Sequence, residues 1–327
     1  MATKKKIIKK KVPRRVKFGV FFRRHEADFR LALIPLILGV VWVILSIITT
    51  RVQLQAKQEQ INLQSIAQTA TPYTYFSQPI IPPITAEAAT IIDRDSKSIL
   101  YEKNASVRFA MASTTKLMTA VVAMDYFKPE SILTAFTANV EGVNVGLTVG
   151  DHLRFKDSLY AMLLPSGNDV ALMIAQNYPG GEESFVKAMN AKAQQLHLAN
   201  THYADPAGLD DDGNYTTAHE LAELAAVVSV DPILADVTAT KSKIVTTMDG
   251  KKTFTLNNLN RLLGISGVTG LKTGHTEGAG DVLITSSISE GHNYIIVVMR
   301  SQDRFTDTEV LLSNVTRDVR VFTPNIR

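Results

Sequence analysis

The sequence predicts an α+β fold, in which strands from both ends of a globular region form one antiparallel sheet flanked by helices, with a mostly helical lobe inserted. β-Prone runs lie on both sides of the central region, at residues 89–93, 98–101, 281–287 and 294–299. From residue 113 to about 230 the apolar residues recur at helical spacing instead. One transmembrane helix is predicted ahead of this domain.

The individual elements follow in chain order. Residues 94–97 are polar and separate the first two β-prone runs, which predicts a hairpin. Helical spacing is clearest after Lys116 and between Phe185 and Leu196. Thr217 precedes Glu220 at the spacing of a capping box, which predicts the start of another helix. A last helix is expected around residues 306–314.

Residues 31–50 form a stretch of twenty positions without a charged side chain. A helix of this length crosses a hydrocarbon core of about 30 Å. A buried helix of a soluble protein would normally show a polar face, which this segment lacks. A cleaved signal peptide is the alternative, but the apolar run is long and no clear cleavage site follows it. We therefore expect a signal-anchor helix.

Charge predicts the orientation of that helix. Residues 1–30 carry twelve lysines and arginines against two acidic residues, a net of +10, whereas the whole chain carries only +4. Residues 31–327 therefore carry −6, so the basic character belongs to the tail and not to the folded domain. Basic residues flanking a membrane span remain on the cytoplasmic side. The N-terminus is expected in the cytoplasm and the rest of the chain outside the cell membrane.

These patterns divide the chain into five expected segments. Residues 1–30 form the basic cytoplasmic tail, and residues 31–50 form the membrane span. Residues 51–82, rich in Gln, Ser, Thr and Pro, are expected to form a flexible stalk. Residues 83–318 form the globular domain, and residues 319–327 form a short tail.

Composition and motifs exclude several classes of function. The chain has no cysteine, which excludes disulfides, a thiol nucleophile and cysteine-based zinc sites. Its seven histidines show no metal-binding spacing, and the acidic turn at residues 210–214 lacks the glutamate that would complete a calcium loop. There is no phosphate-binding glycine loop and no basic-aromatic pattern typical of nucleic-acid binding. We expect no metal, no cofactor and no nucleic-acid partner.

A Ser-x-x-Lys motif begins at Ser113 and ends at Lys116, at the start of an apolar helical run. Side chains three residues apart share a helix face, so the lysine amine is expected beside the serine hydroxyl. A desolvated lysine loses its proton more easily and activates a hydroxyl nucleophile. The same spacing occurs between Ser184 and Lys187, where we expect a solvated helix face without function.

Two further motifs follow in order. Ser166-Gly167-Asn168 comes after a buried apolar run, where a turn without function is the alternative interpretation. Residues 272–274 read Lys-Thr-Gly and lie next to a β-prone run, where a glycine lets a ligand approach the strand closely. Each motif alone is weak evidence. Together and in this order they resemble the signature of penicillin-binding proteins and class A β-lactamases, which is Ser-x-x-Lys, Ser-Asp-Asn and Lys-Thr-Gly.

The chain resembles the D-alanyl-D-alanine carboxypeptidases, a family of low-molecular-mass penicillin-binding proteins, over roughly residues 84–316. The stretches that carry the resemblance are residues 112–120, 164–169, 189–193, 205–210 and 270–276. The resemblance implies the fold of DD-peptidases and β-lactamases. It also implies removal of the terminal D-alanine from peptidoglycan stem peptides, with β-lactam antibiotics as covalent inhibitors.

The resemblance implies three catalytic residues. Ser113 would attack the carbonyl between the two D-alanines and form an acyl-enzyme. Lys116 would act as general base, and Ser166 would relay a proton to the leaving amine. Asn168 would bind the substrate amide and Lys116.

Further residues would bind the substrate. Lys272 would supply a positive field, and Thr273, next to Gly274 of the same motif, would hold the terminal carboxylate. The backbone N–H groups of Ser113 and His275 would form an oxyanion hole. Arg304 matches an arginine that family members use near the carboxylate, although a surface charge at a helix end is the alternative.

Rival functions stay open at the level of sequence. Endopeptidase action on peptidoglycan cross-links would use the same residues. A β-lactamase of class A would need a Glu-x-x-x-Asn pentad between Asn168 and Lys272, and none occurs. A catalytically silent sensor is disfavoured because Ser113, Lys116 and Lys272 are all present.

Overall fold

The computed structural model describes residue 35 and residues 38–59, 73–209 and 212–322. Backbone contacts divide the chain near residue 70 into two units. The described part of the first unit is helical, and the second unit contains the remaining described elements.

Helix α1, Leu38–Glu59, forms the described part of the first unit and is long and apolar enough to cross a membrane. Its large apolar side chains are exposed, with Trp42 72% exposed. Pro35 is also helical. The helix therefore includes the later part of the expected span at residues 31–50 and continues beyond it. The expected tail at residues 1–30 lies outside the described residues.

The second unit is mixed. Its strands are β1 Tyr73–Phe76, β2 Ala88–Asp93, β3 Ile99–Lys103, β4 Arg108–Ala110, β5 Ile132–Thr134, β6 His152–Arg154, β7 Tyr215–Thr217, β8 Ser242–Thr246, β9 Thr253–Asn257, β10 Val268–Thr276, β11 Gly280–Ser289, β12 His292–Ser301 and β13 Val319–Phe322. Its helices are α2 Lys116–Tyr126, α3 Phe155–Leu163, α4 Asn168–Gln176, α5 Gly181–Gln195, α6 Ala218–Val230, α7 Pro232–Ala239 and α8 Arg304–Asp318, with a 3₁₀ turn at Ala112–Thr115.

Five strands form the main sheet in the order β10-β11-β12-β2-β3, and every neighbouring pair is antiparallel. The first two strands of this sheet in chain order form the expected hairpin, and β12 pairs with β2 in the centre. Strands from both ends of the domain thus meet in one sheet, as the sequence predicts. Strand β10 lies at one edge of the order.

Both faces of the sheet are buried, which explains the unbroken apolar runs of its central strands. Ile295 and Val297 of β12 join the core that includes α2 and α6. Ile296 and Val298 point to the opposite face and pack with Leu311 of α8. Successive side chains of a strand point to opposite faces of the sheet. A strand with one face exposed to water would therefore alternate apolar and polar residues, which these strands do not. The sheet is therefore the middle layer of three.

The expected stalk and C-terminal tail both contribute a strand. Strand β1 lies within residues 51–82, and it pairs antiparallel with β13, which lies within residues 319–327. The Thr74 hydroxyl of β1 also donates to the buried Asp93 carboxylate, at 2.8 Å. The described part of the second unit therefore begins with β1 at Tyr73, within the segment expected as a stalk.

Asp307 ties helix α8 to the segment before β2. Its carboxylate, 2% exposed, accepts hydrogen bonds from the Thr85 N–H and hydroxyl at 2.8 Å, from the Ala86 N–H at 2.7 Å and from the Ser301 hydroxyl. Four donors converge on one buried carboxylate, so its loss would leave several buried polar groups without partners.

We predict that Asp307→Ala lowers the free energy of unfolding by about 2–4 kcal/mol, because buried donors lose their acceptor. Urea denaturation of the full chain in detergent measures this. Glu309→Ala, an exposed position on the same helix, is the matched control and should change stability by about 0.5 kcal/mol or less. Equal effects of the two substitutions would show that the Asp307 contacts do not stabilise the fold.

Candidate active site

The Ser113 hydroxyl lies beside the Lys116 amine, at 2.8 Å between Oγ and Nζ. Ser113 belongs to the 3₁₀ turn, and Lys116 is the first residue of α2. Residues three apart in a 3₁₀ turn are nearly eclipsed, which places the two side chains together. The expected neighbourhood of serine and lysine is present, although the serine lies just before the α-helix and not in its first turn.

Lys116 is fully buried. Its amine donates to Ser113 Oγ and to the carbonyl oxygen of Ala207, the latter at 2.6 Å. Burial lowers the pKa of Lys116 to about 7, and the negative charges of Asp205 and Asp169 oppose that shift. A lysine with this pKa has a large neutral fraction at neutral pH, so it is suited to act as a general base.

The second motif lies at the start of α4. The Ser166 hydroxyl is buried and has no hydrogen-bond partner among the described residues, and the φ angle of Ser166 is +71°. Asn168, 6% exposed, bonds through its side chain to the Glu141 carbonyl and through its N–H to the Val143 carbonyl, both at 2.7 Å. The hydrogen bonds found for Asn168 therefore hold the loop at residues 141–143.

Asp169, one residue further on, is a site residue that the motifs did not indicate. Its buried carboxylate accepts hydrogen bonds from the N–H groups of Val145, Gly146 and Leu147 at 3.0–3.1 Å. It thus fixes the loop that leads into α3 and places a negative charge near Lys116. The local signal in the sequence for such a residue is its position at the start of a helix, because acidic residues are favoured in the first turn.

The third motif lies on the edge strand β10. Lys272 is 1% exposed, and its amine donates to the Thr273 carbonyl at 2.9 Å. Burial, together with the positive charges of Lys116 and Arg304, holds the pKa of Lys272 well below its usual range. The Thr273 side chain is also buried. The motif therefore belongs to the same electrostatic environment as Lys116.

Gly274 lets strand β10 lie directly against the 3₁₀ turn at Ala112–Thr115. This turn carries Ser113, the predicted nucleophile, and is named the nucleophile turn. A Cβ atom at this position would lie 3.1 Å from the Ala112 Cβ and 3.3 Å from the Ser113 nitrogen. Distances this short are tighter than ordinary packing, so a larger residue would push the strand away. The glycine of the motif is explained by this close approach.

Arg304 is the first residue of helix α8, and its side chain reaches strand β10. Its guanidinium donates to the Gly274 carbonyl and forms an ion pair with Asp281 at 3.2 Å. The Asp281 carboxylate also lies 2.7 Å from the His275 Nδ1. Arg304 is 19% exposed and contacts the site, so it is not merely a surface charge at a helix end. His275, in contrast, is largely exposed at 62%.

The loop at residues 205–209 closes the site from the helical lobe. It supplies the Ala207 carbonyl that binds Lys116. Gly208 has a φ angle of +76°, and a Cβ atom there would overlap the Ala112 carbonyl oxygen. The resemblance drew attention to this stretch without giving it a role. In the sequence, the local indication of this loop is its Asp, Pro and Gly residues, which are typical of turns.

A cavity of about 350 Å³ opens onto these residues, and Ser113, Asn168, Gly208 and His275 contribute to its walls. A larger cavity of about 620 Å³ lies between residues 77–83 and α8, but no residue of the three motifs lines it. The smaller cavity, with a serine beside a buried lysine, is therefore the candidate active site.

The second Ser-x-x-Lys match has no such surroundings. Lys187 lies on α5, is 73% exposed and forms an ion pair with Glu183 at 2.6 Å. An exposed amine paired with a carboxylate is not desolvated, which is the condition under which a lysine activates a hydroxyl nucleophile. The interpretation of this match as a solvated helix face is confirmed.

Comparison with known proteins gives a consistent result. The family described as D-alanyl-D-alanine carboxypeptidase matches residues 74–303. The D-alanyl-D-alanine carboxypeptidase DacF of Bacillus subtilis is 34% identical over 222 residues, which cover 65% of this chain and 57% of DacF. The D-alanyl-D-alanine endopeptidase of Pseudomonas aeruginosa is 32% identical, with 73% of this chain and 79% of that protein covered.

Among solved structures, the Streptomyces K15 DD-transpeptidase superposes with a TM-score of 0.68 at 28% identity. The superposition covers 72% of this chain and 98% of that chain. The likeness extends over nearly the whole of that protein, whereas the chain spans little more than half the length of DacF.

We predict that Gly208→Ala reduces the rate of acylation by a fluorescent penicillin about a hundredfold or more, because its Cβ would displace the nucleophile turn. Gly250→Ala is the matched control: Gly250 also has a positive φ, +74°, but no atom lies within 4 Å of the point that a Cβ would occupy there. Both substitutions add similar backbone strain, so only the clash differs. Similar acylation rates for the two variants would contradict the close approach described above.

Proposed function

The chain belongs to the D-alanyl-D-alanine carboxypeptidase family, and from that premise we propose that it removes the terminal D-alanine from peptidoglycan stem peptides ending in D-Ala-D-Ala. One observation carries the proposal: a fully buried lysine amine lies 2.8 Å from a serine hydroxyl in an open cavity. The second Ser-x-x-Lys match lacks this arrangement, since the Lys187 amine is exposed and pairs with Glu183.

The first step would form an ester on Ser113. Neutral Lys116 takes the hydroxyl proton while Oγ bonds to the carbonyl carbon of the penultimate D-alanine. The C–N bond to the terminal D-alanine then breaks. Its nitrogen would take up the proton, relayed by Ser166, whose buried hydroxyl has no hydrogen-bond partner among the described residues. D-Alanine leaves, and the shortened peptide stays bound to Ser113.

The second step would return the enzyme to its first state. A water molecule gives a proton to Lys116 and attacks the ester carbon. The ester bond to Ser113 breaks, and Lys116 returns the proton to Oγ. The net reaction consumes one water and releases one D-alanine and the shortened peptide.

Several groups would favour the substrate and the transition state. Arg304 supplies positive charge near the terminal carboxylate, Thr273 supplies a hydroxyl to hold it, and Lys272 adds to the positive field when it is protonated. The N–H groups of Ser113 and His275 would stabilise the oxyanion, an effect of a few kcal/mol in serine hydrolases. Gly274 supports this role, since it brings the strand close to the Ser113 nitrogen.

Asn168 would bind the substrate amide from the opposite wall of the cavity. Its side-chain NH₂ already donates to the Glu141 carbonyl, which orients the amide group. The orientation leaves its side-chain oxygen as the group for an incoming N–H donor.

The same site would react with β-lactam antibiotics. A strained lactam presents an amide carbon to Ser113, and ring opening keeps the leaving nitrogen attached to the acyl group. Penicillins would therefore bind covalently as inhibitors.

We further propose that the enzyme is a single-pass protein of the bacterial cell membrane. Helix α1 is a candidate span, and the basic residues 1–30 favour a cytoplasmic N-terminus. The catalytic domain would then lie outside the membrane, where peptidoglycan is found.

Endopeptidase action on D-alanine cross-links is a second candidate function. The chain is 32% and 30% identical to two D-alanyl-D-alanine endopeptidases, from Pseudomonas aeruginosa and Escherichia coli, and spans 79% of each. Coverage of these relatives exceeds the 57% of DacF. The chemistry at Ser113 would be the same, and only the leaving group would differ.

We predict that fluorescent penicillin labels the full chain in detergent, and that Ser113→Ala abolishes both labelling and release of free D-alanine from a D-Ala-D-Ala peptide. Removal of the nucleophile leaves no group to form the ester. Ser184→Ala, from the second Ser-x-x-Lys match, is the matched control and should keep both activities. Labelling of the Ser113→Ala variant, or its loss in Ser184→Ala, would show that the nucleophile is wrongly assigned.

Mass spectrometry of purified muropeptides distinguishes the two candidate functions. We predict that pentapeptide monomers lose one alanine and that cross-linked dimers persist after equal digestion. Ser113→Ala protein serves as the blank. Dimers that disappear while pentapeptides persist would identify an endopeptidase instead.

A further inference from the structure

Asp205 organises the loop that holds the Lys116 amine. Its Oδ1 accepts hydrogen bonds from the N–H groups of Ala207 and Gly208, each at 2.7 Å. Its Oδ2 accepts from the Leu209 N–H at 3.2 Å and from the Asn214 side chain. One carboxylate thus fixes three successive peptide groups of the loop.

The peptide that Asp205 fixes is the one that touches the catalytic lysine. The Gly208 N–H bonds to Asp205, and the Ala207 carbonyl of the same peptide group accepts from Lys116 Nζ at 2.6 Å. The loop is also anchored to α2, since the Thr119 hydroxyl donates to the Pro206 carbonyl at 2.6 Å. A shift of this loop would therefore move the acceptor of the Lys116 amine.

We propose that Asp205 is a positioning residue of this enzyme: it holds the loop at residues 205–209 so that the Ala207 carbonyl keeps the Lys116 amine against the Ser113 hydroxyl. Asp205 acts through Ala207 and touches neither the reacting atoms nor the substrate. The inference rests on the proposed function, since it assigns Lys116 the role of base.

The charge of Asp205 has a second consequence for Lys116. The groups that act on this amine are the Ser113 hydroxyl, Asp205 in the loop, Asp169 on α4 and Lys272 on β10. The two carboxylates favour the ammonium form and so raise the pKa of Lys116, against the larger effect of burial. Removal of one carboxylate should therefore lower that pKa further.

The pH dependence of acylation therefore distinguishes a positioning role of Asp205 from a merely structural one. A loosened loop mainly reduces the rate at every pH, because it displaces a neutral acceptor and removes no charge from the surroundings of Lys116. Loss of the Asp205 charge also moves the acid limb of the acylation profile, which in the wild type should lie near pH 7, where Lys116 titrates.

The experiment measures acylation of the full chain in detergent by a fluorescent penicillin between pH 5 and 9. We expect Asp205→Asn to move the acid limb down by about one pH unit and to lower the plateau by about tenfold or more. Asn214→Ala keeps the charge and removes one bond to Asp205. It should lower the plateau without moving the limb.

Glu183→Gln is the matched control, because it removes an exposed carboxylate that pairs only with Lys187 among the described residues, and it should change neither quantity. A limb in Asp205→Asn that coincides with the limb of Glu183→Gln, or an Asn214→Ala plateau equal to the wild-type plateau, would overturn the inference. Absence of acylation in the wild type would instead overturn the proposed function itself. Thermal unfolding of each variant, monitored by circular dichroism, establishes that the rates compare folded proteins.

Discussion

The site depends on a single buried amine. Lys116 has no exposure, and a buried ammonium group is strongly disfavoured unless partners compensate for the lost water. Among the described residues, the Ser113 hydroxyl and the Ala207 carbonyl are its hydrogen-bond partners, and two carboxylates lie close enough to favour its charge. Burial is still the larger effect, and it brings the pKa of the amine to about 7. The neutral and charged forms are then both populated at physiological pH, as a group that takes and returns a proton requires.

The close approach of three backbone segments makes this burial possible. The nucleophile turn lies between strand β10 and the loop at residues 205–209, and glycine stands at each contact. A side chain at Gly208 would overlap the Ala112 carbonyl, and one at Gly274 would crowd the Ser113 nitrogen. The two glycines thus set how far the surrounding structure can close around Ser113 and Lys116. Their effect is steric, and it is separate from the charges that act on the amine.

The position of the site follows from the architecture. Strand β10 occupies an edge of a sheet whose other strands come from both ends of the domain, and α8 covers one face of that sheet. Asp307 holds α8 to the segment before β2, and Arg304 extends from the first turn of the same helix to the Gly274 carbonyl. The chain has no cysteine, so these buried contacts and the two cores stabilise the domain without disulfides. Strands β1 and β13 pair in a separate two-stranded sheet. They come from the two segments that the sequence predicted to be a stalk and a tail.

Local patterns along the chain were enough to predict the fold class, the pairing of the terminal strands in one sheet and the choice of Ser113 over Ser184. These features depend on periodicity, on motif order and on side chains three residues apart. The roles of Asp169, Asp205 and the Ala207 carbonyl, in contrast, emerged from the folded structure. A carbonyl oxygen is present at every residue, so no residue type marks the one that binds Lys116. Contacts between segments 91 residues apart, such as Lys116 with Ala207, exist only once the tertiary structure has brought α2 and the loop at residues 205–209 together.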